Sequence, residues 1–291
     1  MRIRHFAWLA VLLSGAISVG CASAVSGSQS SGPTIGASQQ ASAERVTVTL
    51  SDRSRPGLID VSLVQGSITV RGTNRRDVLV IAHPDTGVER RGRRDDPDAT
   101  GMRRIPQTAG FRITEESNRV EVVADRPNRP MTFEIEAPAR TNLKLSTVNG
   151  GEILVENVDG DLTVRNTNGG ITLIGVAGSV TAGTTNGNVR ATLTRVTAQK
   201  DMAFTSLNGT VDVTLPPTTK ANLRLQSGNG NVYSDFAMQV APSAPGVRDN
   251  RTTNGRYRIS RSQSIVGAIN GGGPEFELRT FNSNVYVRKG R

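Results

Sequence analysis

The chain has 291 residues, of which 36% are hydrophobic and 4% aromatic, and 35 Lys and Arg against 25 Asp and Glu give it a formal net charge of +10. That length allows one or two domains with ample material for a core. A composition rich in Gly, Thr, Asn and Val favours short strands and tight corners over helices.

Residues 1–20 read as an export signal and stand outside the fold. Arg2 and Arg4 precede an apolar run from Phe6 to Leu13, which is too short to span a bilayer as a permanent helix. Two cleavage readings compete. Ser18-Val19-Gly20-Cys21 resembles a bacterial lipoprotein signal, with a lipid added to the sulfur of Cys21, although Ser18 stands where Leu is usual. Ala22-Ser23-Ala24 instead fits the A-x-A pattern of ordinary secretion. Cys21 is the only cysteine in the chain and falls where lipidation needs it, so it is the expected anchor. The expected location is the bacterial cell envelope, membrane-anchored through that lipid, with a periplasmic or secreted protein as the alternative. Residues 21–44 are rich in Ser, Gly, Ala and Gln and read as a flexible tether. Its chain statistics give a mean reach of roughly 26 Å.

From residue 45 to 291 the chain repeats. Asn-Gly recurs at 149, 168, 186, 208 and 229, and again at Asn270-Gly271, about two periods later. Between these marks the pairs Ile153/Val155, Leu162/Val164, Ile171/Leu173, Val180/Ala182 and Val189/Ala191 begin nine residues apart. Apolar residues at i and i+2 mark a strand with one buried face. Ile59/Val61 and Ile68/Val70, Phe111/Ile113 and Val120/Val122, and Phe276/Leu278 and Val285/Val287 keep the same beat. Glycines 150, 160, 169, 178 and 187 fall near the strand starts, where positive φ is expected.

The expected fold is all-β: a right-handed β-solenoid of two-strand coils, each 18–22 residues long, with equivalent strands stacked in parallel. An antiparallel meander or sandwich, with Asn-Gly closing type I′ hairpins, is the alternative. Asn-Gly at every second corner and the in-phase threonines Thr163, Thr172 and Thr181 favour the solenoid. Ten coils would make a rod of about 45–50 Å. Two insertions, near 87–107 and 237–257, break the beat.

The segment MTFEIEAPARTNLKLSTVNGGEILVENVDGDLTVRNTNGGITLIGVAGSVTAGTTNGNV carries alternating G-x-[IV]-x-[VL] units after a strand ending at Pro138. It resembles the bacterial family of putative adhesins with β-strand repeats, a domain family of unknown function. The tail GAINGGGPEFELRTFNSNVYVRK is similar to that family's closing coils. The resemblance implies an extracytoplasmic solenoid and transfers no catalytic residue.

Chemistry is sparse in the sequence. There is no nucleophile elbow, P-loop or H-E-x-x-H motif. His5 leaves with the signal, and His83 stands alone before Pro84. Asp159 and Asp161 flank Gly160 and read as a turn, not as the acid pair of a glycan-cleaving enzyme. Asp95, Asp96 and Asp98 cluster in the first insertion. No cofactor or metal is expected, since the nonapeptides lack the Asp of a calcium-binding β-roll. Arg90, Arg91, Arg93, Arg94, Arg103 and Arg104 in the same insertion are candidates for an anionic partner such as an envelope glycan. Nucleic acid is not expected, because aromatics are not interleaved with the arginines. The expected function is a non-catalytic, adhesin-like or scaffolding envelope protein. A β-helical polysaccharide-active enzyme and a self-associating structural protein are the alternatives.

Overall fold

The computed structural model describes residues 43–84, 110–240 and 264–291. These form twenty strands without a helix. Most strands alternate a fully buried residue with a more exposed one, as in Met131–Pro138, where Met131, Phe133, Ile135 and Ala137 point inward. One buried side per strand requires a second layer opposite, and the chain supplies it by passing from one face to the other along each coil.

Two ladders result. The first, face A, begins with the antiparallel pair β5 (Phe111–Glu116) and β6 (Arg119–Ala124). It continues in parallel through β2 (Gly57–Gln65), β8 (Thr141–Asn149) and β10 (Asp159–Asn168), then the second part of β11 (Ile171–Thr184). Beyond it stack β13 (Met202–Ser206), β19 (Glu275–Thr280) and β15 (Ala221–Ser227). The antiparallel strands β18 (Ile265–Ile269) and β17 (Gln239–Val240) close that end.

Face B starts with β1 (Glu44–Val48) and β4 (Val78–Pro84), both antiparallel to their neighbours. It then runs in parallel through β7 (Met131–Pro138), β3 (Ile68–Thr73), β9 (Ile153–Glu156) and the first part of β11. β12 (Val189–Val196), β14 (Val211–Leu215), β20 (Val285–Lys289) and β16 (Val232–Ser234) complete it. The domain is a β-solenoid of two-strand coils with antiparallel strands at its ends. The expected parallel stack forms the body, and antiparallel pairing is confined to the ends.

The spatial order of coils is not the order of the chain. Coil β2–β3 sits between β6–β7 and β8–β9, although Gly57 and its partner Thr141 are 84 residues apart. Coil β19–β20 likewise sits between β13–β14 and β15–β16.

The core is a set of columns running along the stack. Ile59, Leu143, Leu162, Val180, Met202, Phe276 and Leu223 follow one another in register on face A. Ile68, Ile153, Ile171, Val189, Val211 and Val285 do so on face B, and all are buried. Each such side chain contributes about 1.5–3 kcal/mol on leaving water.

Several local expectations change. Thr163 and Thr181 are register partners on face A, but Thr172 lies on face B against Arg190 and Leu154. A nine-residue step is half a coil, so it alternates faces. Asp159-Gly160-Asp161 is the start of β10 and not a turn. Gly150 and Gly178 do adopt positive φ, whereas Gly160, Gly169 and Gly187 do not. Those three are glycines for want of room: a Cβ on Gly187 would lie 2.1 Å from the Gly169 carbonyl oxygen.

Candidate binding surface

Each chain passage from face A to face B turns the same corner, and the residues there stack rung on rung. Backbone N–H groups keep the ladder intact around the bend, as in Asn186 to Thr167 at 2.8 Å and Asn208 to Thr185 at 2.9 Å. Five of the Asn-Gly asparagines and one further asparagine form a continuous side-chain ladder. Asn168 donates from Nδ2 to Oδ1 of Asn149 at 2.8 Å, Asn186 to Asn168 at 2.7 Å and Asn208 to Asn186 at 2.7 Å. Asn282 then donates to Asn208 at 2.6 Å and Asn229 to Asn282 at 2.8 Å. All six asparagines are exposed, and Gln65 continues the row in register beside Asn149.

Asn282 is the rung that sequence reading misses, since Ser283 follows it and not glycine. Asn270-Gly271 is no rung at all. Asn270 has φ 51°, its amide donates to the carbonyls of Pro217 and Thr219, and it turns the chain between β18 and β19. Only the interleaving of coil β19–β20 reveals which asparagine occupies the sixth place.

The inside of the same corner is polar, and side chains answer its carbonyls from within, although Oδ1 of Asn166 has no partner of its own among the described residues. Thr184 donates to Gly169 O at 2.8 Å, Ser206 to Gly187 O at 2.8 Å and Thr280 to Gly209 O at 2.6 Å. Asn166 serves the Gly151 carbonyl at 2.8 Å in the same column. These bonds answer the demand of carbonyls turned toward a dry interior.

Immediately beside the asparagines runs an outward row: Val64, Val148, Thr167, Thr185, Leu207 and Phe281. Leu207 is 46% exposed and Phe281 50%, with Val64 and Val148 nearly as open. The Phe281 ring lies over Gly228, the last position of the row. At a strand spacing of about 4.8 Å the seven rungs extend about 29 Å along the axis. None of the fourteen positions in the two rows carries a charge.

Charge lies elsewhere, mostly in ion pairs on the flat faces. Asp60 receives Arg119 at 2.5 Å and Lys144 at 3.0 Å, Glu156 pairs with Arg71 and Asp212 with Arg288. Tyr233 and Tyr286 stack on face B at 5.0 Å, with the Arg288 guanidinium 5.1 Å from the Tyr286 ring centre. The former turn candidates are both paired: Asp159 with Arg195 at 2.6 Å, and Asp161 with Lys200 at 2.7 Å and Ser179 at 2.6 Å. The Lys200 hydrogen bond, then that of Ser179, holds the Asp161 carboxyl below its ordinary range. A groove of about 450 Å³ opens at the opposite corner, lined by Arg195, Gln199, Thr219 and Lys220 among others.

His83 stands on β4 with Nε2 3.6 Å from Glu134. Among the described residues no three His, Cys, Asp or Glu side chains gather as a metal would need. Cys21, the six insertion arginines Arg90, Arg91, Arg93, Arg94, Arg103 and Arg104, and Asp95, Asp96 and Asp98 lie outside the described residues. So does the second insertion beyond Val240.

Among solved structures, the chain is similar to a putative cell adhesion protein from Clostridium sporogenes, at 10% identity over 86% of this chain and 100% of that one, with a TM-score of 0.39. A putative adhesin from Bacteroides fragilis is similar at 12% identity over 86% and 97%, with a TM-score of 0.33. No curated protein matches. Residues 133–263 match the family model described as Toastrack DUF4097. Over those residues the chain is similar to that family, in keeping with the β-solenoid of two-strand coils described above.

Proposed function

We propose that this protein is a non-catalytic, adhesin-like module of the bacterial cell envelope, exported and held at a membrane by lipid on Cys21. Its working surface is the uncharged corner formed by the asparagine ladder and the row from Val64 to Phe281. The observation that carries this reading is the repetition itself. Asparagine amides recur on six successive coils, with exposed Val148, Leu207 and Phe281 beside three of them, so the corner offers many weak contacts at even spacing, and such contacts gain by multivalency. The exposed pairs Val64/Val148 and Leu207/Phe281, set apart by Thr167 and Thr185, add apolar contact area at both ends of the row. The insertion arginines are a second, anion-directed contact within the same proposal.

The test uses the mature exported chain, fluorescently labelled and incubated with envelope preparations of its host. Retention is expected, and the double variant Leu207→Ser/Phe281→Ser loses most of it while keeping its melting temperature. An unretained wild type sinks the reading. Release of new reducing ends from envelope polysaccharide would instead make the protein an enzyme.

Self-association is the second reading, favoured by the strand edges at the ends of the stack. Among the described residues β16 pairs only with β20 and β5 only with β6, so each presents an unpaired edge. Sedimentation velocity across a range of concentrations decides it: a strict monomer removes the idea.

A further inference from the structure

We infer that the asparagine corner binds a neutral linear polysaccharide lying parallel to the solenoid axis. The inference rests on the adhesin-like reading and names its ligand class.

A primary amide has two N–H donors and two acceptor lone pairs. The ladder uses one donor and one lone pair at each of Asn168, Asn186, Asn208 and Asn282, because each donates to one neighbour and accepts from the other. One donor and one acceptor per rung are left over by the ladder, on exposed residues. A partner that satisfies them must itself donate and accept at each step, as a hydroxyl does. A carboxylate or sulfate only accepts and an ammonium only donates, so each would leave half of every rung unanswered.

The neighbouring row sets the second requirement. Leu207 and Phe281 occupy adjacent rungs, with Val64 and Val148 at the other end of the stripe. A sugar ring carries hydroxyls at its rim and C–H groups on its faces, so it answers both rows at once. The rungs are locked in position by bonds on either side, so little side-chain freedom is lost on binding.

The third observation is charge. The chain carries +10 overall, yet the stripe has no charged residue in fourteen positions, and the ion pairs lie on the flat faces. A surface selected for polyanions would not keep its longest regular row neutral. Neutrality also separates this site from the insertion arginines.

The experiment is affinity electrophoresis of the mature chain in gels containing hydroxyethylcellulose, galactomannan, dextran, alginate or heparin. Retardation by at least one neutral polymer is expected and should persist from about 0.05 M to about 0.5 M salt, since screening acts only on charge. Phe281→Ser and Leu207→Ser each weaken that retardation about tenfold, as loss of a central apolar contact does. Asn186→Leu, which breaks the ladder while staying exposed, weakens it as well. Arg71→Ser, on face B and away from the corner, retains it.

Retardation by alginate or heparin alone, abolished by salt, overturns the inference but leaves envelope adhesion standing. Retention on envelopes with no polymer retarding the chain does the same and points to a protein partner. Corner variants that abolish self-association, with no polymer bound, overturn it in favour of a second copy. Failure on both envelopes and polymers removes the adhesin-like reading as well.

Discussion

The hydroxyl of Ser206 donates to the carbonyl oxygen of Gly187 at 2.8 Å, and that same oxygen would lie 1.8 Å from a Cβ placed on Gly209. One atom therefore fixes three positions of the corner. An inner hydroxyl must reach it, its own residue must turn tightly, and the residue stacked above must have no side chain. The pattern repeats with Thr184, Gly169 and Gly187, where the Cβ separation would be 2.1 Å.

Gly209→Ala should cost about 3 kcal/mol or more, because the clash is with backbone that cannot move without breaking the stack. Gly150→Ala should cost only about 1–2 kcal/mol. Gly150 has φ 80° but nothing within 4 Å of the added carbon, so its penalty is conformational alone. Urea unfolding of the two variants separates steric from conformational glycine; equal losses would contradict the packing account.

Ser206→Ala removes the donor and leaves the Gly187 carbonyl without its side-chain partner. A loss of about 1–3 kcal/mol is expected. Ser206→Thr, which copies the residue found at Thr184 and Thr280, should recover most of it. A Thr variant as unstable as the Ala variant would show that volume, and not the hydrogen bond, governs the site.

Acid should weaken the fold through the surface carboxylates. Hydrogen bonds from Ser54 and then Arg55 hold Asp52 at about 2, Lys200 and Ser179 lower Asp161, and Arg224 lowers Glu275. A depressed folded-state pKa means the unfolded chain takes up protons first as pH falls. The stability these groups contribute is therefore full above the unfolded values, 3.8 for Asp and 4.5 for Glu, and is lost as pH drops through the lower folded values. Lys200→Met should flatten that decline by a few tenths of a kcal/mol, the scale of an exposed pair. Midpoints of urea unfolding between about pH 6 and about pH 2.5 check the direction.

Intact-mass analysis of the protein from its bacterial host should find the mature chain beginning at an acylated Cys21. Cys21→Ser should then leave the membrane fraction. An unmodified chain starting near Val25 would replace the tethered module with a freely secreted or periplasmic one.

Much of this protein was legible in its residues. The alternation in MTFEIEAP and its relatives identifies the inward side chains, because a strand turns its side chains to opposite faces. The recurrence of Asn-Gly locates five of the six ladder rungs. Periodicity names which residues are equivalent within a coil, and it does so without any contact being known.

Periodicity cannot say which coil lies on which, since every coil presents nearly the same apolar edge to its neighbours. That choice belongs to the tertiary structure, which places β2–β3 against β8–β9 and slips β19–β20 beneath β15–β16. Asn282 joins the ladder and Asn270 leaves it for that reason alone. Phe281 reaches Leu207 only because the chain returns 74 residues later to fill the gap. The strand pattern is local and is written in the sequence; the uncharged stripe is made of coils brought together from distant parts of the chain, and only their stacking order decides it.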